Sequence, residues 1–152
     1  MRKLVTFSLD AQMFGLWLED MVEATRAVTI TPLARAPACV EGIINLRGDV
    51  VPVFDLRMRF SLPPAPLRMT DHLLIVQAGD RTAALRVDRV NGLTSVSPED
   101  LQVIQSVVEV AGGISGIAKL ERGLVVITAM ASFLTAMESE ALGDALAQAG
   151  EA

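Results

Sequence analysis

The sequence predicts an all-β protein of two small five-stranded barrels followed by a short C-terminal helix, and three observations predict it. Short runs of β-branched and other apolar residues recur along the chain with turn residues between them. Ser61 to Thr70, with Pro63, Pro64 and Pro66, breaks the chain into two parts, and the fixed φ angles and missing donors of proline suit an extended connector. The second part then repeats the order of the first.

Leu4-Val5-Thr6-Phe7-Ser8-Leu9 reads as a strand, Asp10-Ala11-Gln12 as a turn, and Phe14 to Leu18 as the returning strand of a hairpin. Val28-Thr29-Ile30 is short and extended, and Pro32 ends it by removing a ladder donor. Glu41 to Leu56 reads as two strands around an Arg47-Gly48-Asp49 turn, where glycine supplies a positive φ at little steric cost. Leu73 then aligns with Leu4, and at that offset Gly15 falls on Ala84, Leu18 on Val87, Glu19 on Asp88 and Met21 on Val90. Beyond a longer linker the match resumes five residues later, with Gly42-Ile43 on Gly116-Ile117, Leu46 on Leu120, Val51 on Val125 and Val53 on Ile127. Gly112 and Gly113 read as a loop before that last hairpin. Leu142, Ala145, Leu146 and Ala149 lie at helical spacing.

These features set the expected organisation. One domain covers 1–137, with a first barrel half at about 4–62 and a second at 71–137, and with the N-terminal strand open to sharing between them. An acidic tail or helix covers 138–152. Closing a small sheet removes edges that would invite aggregation. Packing one barrel on the other buries further apolar surface, at about 25 cal/mol per Å2.

Composition narrows the function. Of the 152 residues, 51% are apolar, which supplies a core and leaves only the ends as candidates for disorder. The net charge is −5, and Glu138, Glu140, Asp144 and Glu151 contribute four of those charges, so the rest of the chain is nearly neutral. A nucleic-acid binder needs a basic footprint that this chain lacks. One cysteine, Cys39, and one histidine, His72, give no metal-ligand cluster and no internal disulfide, and the count fits a reducing compartment. No cofactor, metal or catalytic residue is predicted, and neither Cys39 nor His72 is expected to face acids in a cleft. Arg2 and Lys3 lead directly into an alternating stretch, so no signal peptide is predicted. The uncharged run Gly123 to Met137 is too short for a span of about 18 residues, so a soluble protein without membrane insertion is expected.

Gly42-Ile43-Ile44-Asn45-Leu46-Arg47-Gly48-Asp49-Val50-Val51-Pro52-Val53-Phe54-Asp55-Leu56 resembles the signature of the CheW-like domain, with its N-L-R-G and P-V-x-D-L elements. Val5 to Leu9 with Phe14-Gly15-Leu16 is similar to the family's opening hairpin, and Met21-Val22-Glu23-Ala24 to its V-x-E-V element. Leu85 to Val90 resembles its L-x-V-D-x-V strand, and Gly116 to Leu120 its closing hairpin. The resemblance implies two SH3-like barrels and a non-enzymatic adaptor in a chemosensory array. Its partners would be the cytoplasmic domain of a methyl-accepting chemoreceptor and the regulatory domain of a CheA-type histidine kinase, and its place the cytoplasm at membrane-associated receptor arrays. A second reading keeps receptor or CheW-like partners without kinase recruitment. Three departures stand out: Ala34 for a frequent proline, Ala84 for a frequent glycine, and Ala129 for the usual aspartate of the closing strand.

The family's functional glutamate and arginine fall on Glu23 and Arg47, with Asn45 and Gly48 in the same motif. The planar guanidinium can hold a carboxylate bidentately. Such a pair would either present an inter-barrel groove to a receptor helix or simply brace the hairpin. Val22, Val28 and Gly42 are the expected groove residues, in the helix-in-groove manner. A barrel end would pair with a barrel of the kinase.

Overall fold

The computed structural model describes residues 2–78, 81–103, 114–128 and 136–150. The first part of the chain forms β1 (Arg2–Leu9), β2 (Gln12–Trp17), β3 (Met21–Arg26), β4 (Val40–Leu46), β5 (Asp49–Phe54) and α1 (Leu56–Arg59). After the proline connector come β6 (His72–Ala78), β7 (Arg81–Val87), β8 (Arg89–Val96), β9 (Leu101–Val103), β10 (Ile114–Leu120), β11 (Gly123–Thr128) and α2 (Ala136–Gly150). The expected Gly112-Gly113 loop and Ala129 lie outside the described residues.

The all-β class holds, but the closed five-stranded barrels do not. Among the described residues the strands form two open sheets, one of six strands in the order β8-β1-β2-β11-β10-β9 and one of five in the order β3-β6-β7-β5-β4. Each sheet draws on both sides of the proline connector. The β1–β2 hairpin pairs outward with β8 and β11, and the β6–β7 hairpin pairs with β3 and β5. Hairpin pairing is local and readable from sequence. The strand that a hairpin's outer edge meets is set by long-range packing instead.

The repeat survives in the hydrogen-bond registers. Val53 pairs with Ala84 and Ile127 with Gly15, both in parallel ladders. Thr25 pairs with Leu73, and its counterpart Thr94 pairs with Leu4. Even the irregularities coincide, since the register shifts between Met21 and Glu23 in β3 and opposite Thr6 and Phe7 in β8. A second shift lies between Val40 and Gly42 and, in the other half, between Ile114 and Gly116. The predicted strand at Val28 to Ile30 is absent. That segment instead crosses β4 and makes one bridge, Thr31 to Ile43, and β9 runs as a full strand at the corresponding place on β10.

Three apolar layers result, because strand side chains alternate between faces. Leu73 and Ile75 of β6 enter a small core with Ile44, Val51, Val53 and Ala84 on one face of the five-stranded sheet. Leu4 of β1 does the same in the other sheet, with Val96, Ala118, Val125 and Ile127. The alternate residues, Val5, Phe7 and Leu9 of β1 and Leu74 and Val76 of β6, share a larger layer between the sheets with Phe14, Phe54, Leu56 and Leu85. Phe14 stacks on Phe7 and Phe60, with centroids 5.9 and 4.8 Å away. Leu142 of α2 is fully buried in this layer and Leu146 packs against it. No helix among the described residues is long and apolar enough to cross a membrane.

Candidate functional site

The β4–β5 hairpin turns on two residues, because Leu46 pairs with Asp49. Arg47 and Gly48 between them have φ of 51° and 92°. Two positive φ angles make the tight turn whose twist matches that of the flanking strands. Glycine adopts this shape freely, whereas an L-arginine is strained by about 1–2 kcal/mol. Asn45 Oδ1 secures the turn by accepting from the Gly48 N–H at 2.8 Å.

The side chain of Arg47 reaches away from its own hairpin to Glu23 on β3. Nη2 lies 2.5 Å from Oε1 and Nη1 lies 3.3 Å from Oε2. β3 and β4 are the outer strands of the five-stranded sheet, and no ladder pairs them among the described residues, so this fork is what joins them. The hydrogen bonds that Arg47 donates to Glu23, and the negative charge of that carboxylate, hold the Arg47 pKa above its ordinary value. Arg47 remains 70% exposed and Glu23 30% exposed, which leaves much of the guanidinium facing solvent.

Val22 is the extra residue of the β3 bulge and is 58% exposed. A bulge bends its strand and re-aims the flanking side chains. Glu23, Arg47, Asn45, Gly48 and Val22 therefore gather where the ion pair brings the two outer strands of the five-stranded sheet together. Gly42 has a different place. It is buried, and a Cβ there would sit 2.2 Å from the carbonyl oxygen of Thr31, so it lets the 27–33 segment lie on β4. Val28 is 43% exposed and lines a small cleft with Leu67 and Met69.

Two buried arginines went unnoticed in the sequence. Arg57 on α1 donates to both oxygens of Asp88 at 2.8 and 2.6 Å, pairs with Asp10 at 2.8 Å and bonds the Pro63 carbonyl at 3.0 Å. Arg86 on β7 bonds Glu41 at 2.8 Å, Asp71 at 3.3 Å and the Ala65 carbonyl at 2.9 Å. Together they pin the proline connector to both sheets. Burial pushes the Asp88 carboxyl up, but bonds from Arg57 and from the Asp10 N–H bring it below its ordinary value. Burial raises Glu41 despite Arg86. The available signal was an arginine set inside the apolar run of β7, a position that burial forbids unless carboxylates meet it.

Cys39 is buried, as a small packed side chain. His72 departs from expectation, for it lines a cleft of about 790 Å3 together with Asp10, Asp71 and Asp88. Those acids are held by Arg57 and Arg86, and His72 Nδ1 is buried without a hydrogen-bond partner among the described residues. A catalytic histidine is ordinarily oriented by a hydrogen bond with a third group, and the carboxylates of this cleft are turned to guanidinium groups instead. Among the described residues no group of three or more His, Cys, Asp and Glu side chains could hold a metal ion.

Two hairpin-exchanging sheets around a shared core, with a held guanidinium and a kinked strand edge exposed at one end, define a double-sheet β module. The family model described as the CheW-like domain matches residues 3–138, and the chain belongs to that family. It is 35% identical over 104 residues to a chemotaxis protein CheW of Treponema pallidum, covering 66% of this chain and 61% of that one. It is 33% identical over 101 residues to a chemotaxis protein CheW of Rhizobium meliloti, covering 66% of this chain and 65% of that one. The chain thus spans less than two thirds of either relative. The crystal structure of the scaffolding protein TtCheW from Thermoanaerobacter tengcongensis superposes with a TM-score of 0.77 at 32% identity, over 84% of this chain and 88% of the other.

Proposed function

We propose that this chain is a non-enzymatic adaptor that couples the cytoplasmic tips of methyl-accepting chemoreceptors to the regulatory domain of a CheA-type histidine kinase. It would act in the cytoplasm, at membrane-associated receptor arrays. Family membership and relatives named as chemotaxis and scaffolding proteins support the reading. The observation that carries it is the forked Glu23–Arg47 pair. A brace needed only for stability has no reason to keep its guanidinium largely in solvent, where ion pairs contribute little. Held rigid, an exposed guanidinium and the bulged Val22 offer a receptor helix one charged and one apolar contact at low ordering cost.

Arg47→Ala tests it. The expected outcome is a folded protein with an unchanged circular dichroism spectrum and binding to a receptor cytoplasmic fragment weakened about tenfold or more. Unchanged binding by the folded variant sinks the receptor role of the pair and leaves the brace. A pull-down with a CheA regulatory domain separates coupling from receptor binding alone, and coupling requires that the domain be retained.

A further inference from the structure

The cleft beside His72 lies where strand ends of both sheets meet the proline connector, and its electrostatics are layered. Its acids lie against buried Arg57 and Arg86, which consume their charge. Its rim carries Arg26 from the end of β3, Arg68 from the connector and Arg89 from the start of β8. All three are exposed, and among the described residues none makes an ion pair. Counting Glu41 on Arg86, five arginines face four carboxylates here, a positive surplus in a chain of net charge −5. Next to Arg68, Leu67 is 41% exposed and Met69 is 95% exposed, and both line the smaller adjoining cleft.

The geometry points to this cleft as a second docking site, one that takes an acidic peptide segment bearing an apolar residue. Three unpaired forks at the rim suit carboxylates, which guanidinium binds bidentately. The neutralised floor does not repel them. Leu67 and Met69 supply the apolar contact, and methionine adapts to whatever side chain arrives. At about 790 Å3 the cleft holds several residues of extended chain rather than one small anion. The site shares no residue with the Glu23–Arg47 pair, so either surface can fail without the other.

The test is fluorescence anisotropy of a fluorescein-labelled peptide of glutamates with one leucine, titrated with the full chain. Saturable binding is expected, weakening as salt rises. The double variant Arg26→Gln with Arg89→Gln should bind about tenfold more weakly, as should Arg68→Gln alone to a smaller extent, since rim charges are the contacts removed. Arg122→Gln, in the β10–β11 turn, should bind like the parent. Near-ultraviolet circular dichroism of each variant matching the parent keeps the comparison to folded proteins, and Met69→Ser gives a variant that perturbs no charge and should also weaken binding. Three results overturn the proposal: no saturable binding, equal loss in Arg122→Gln, or displacement of the peptide by inorganic phosphate at matched ionic strength, which would mark a simple anion site.

Discussion

The five-stranded sheet and its six-stranded counterpart share a register but not a chemistry. Where β3 carries Glu23, the equivalent place in β8 is Gly92, and where the β4–β5 turn carries Arg47, the β10–β11 turn carries Glu121. The bulges and parallel ladders coincide, yet among the described residues only the five-stranded sheet joins its two outer strands with an ion pair. The packing diverges too. Leu4 folds its side chain over Gly15, so close that a Cβ there would lie 2.7 Å from it, whereas its counterpart Leu73 packs in a core that holds Ala84 at the corresponding place. Other features are kept: Val50 and Leu124 occupy matching positions and are 60% and 62% exposed. Backbone pairing is the conservative part of this duplicated molecule, and side chains on it were free to specialise.

The comparison breaks most sharply at Phe54 and Thr128, which occupy matching positions beside the parallel ladders. Phe54 is fully buried in the shared layer, so Phe54→Ala should cost about 4 kcal/mol. Thr128 is buried but gives one hydrogen bond to the Gly15 carbonyl at 3.1 Å, so Thr128→Ala should cost about 1 kcal/mol. Urea unfolding of both variants measures the contrast, and equal costs would mean that the shared layer favours neither sheet. Arg57→Ala comes next. It strands Asp88 and frees the connector, and a loss of about 3 kcal/mol is expected, checked by the same titration.

A smaller effect appears in the pH dependence. Asp88 has a folded pKa below its ordinary 3.8, so its contribution is fully present above that value and is lost as pH falls through the folded one. Glu41, raised by burial, acts with the opposite sign. Asp88→Asn should therefore flatten the loss of stability below about pH 4 relative to the parent, read from urea midpoints across the acid range. An unchanged acid limb would show that Arg57 does not favour the ionised form of Asp88. Arg47→Ala should move stability least of all.

The hairpins, the connector, the duplication and the terminal helix were readable in the residues, because turn chemistry, proline and periodicity act locally. Closed barrels were not the outcome. A five-strand count suits closure, but β1 and β6 are buried on both faces, and such strands belong at the centre of a layered molecule. Of the candidate site, Glu23 and Arg47 came from motif resemblance and do meet in space. Gly42 is a packing glycine, which only the distance to Thr31 reveals. Arg57 and Arg86 escaped notice because a lone arginine in sequence does not announce which of the chain's acids will surround it.

Exchange of hairpins between the sheets also governs the order in which the chain can fold. The β1–β2 hairpin closes locally, but Leu4 must wait for Thr94 and Phe14 for Val126 before its outer edges are paired. No early stretch can reach its final form alone, and pairings so distant in sequence slow folding. The two sheets are therefore completed together, with the outer edges of β1 and β2 exposed until β8 and β11 arrive.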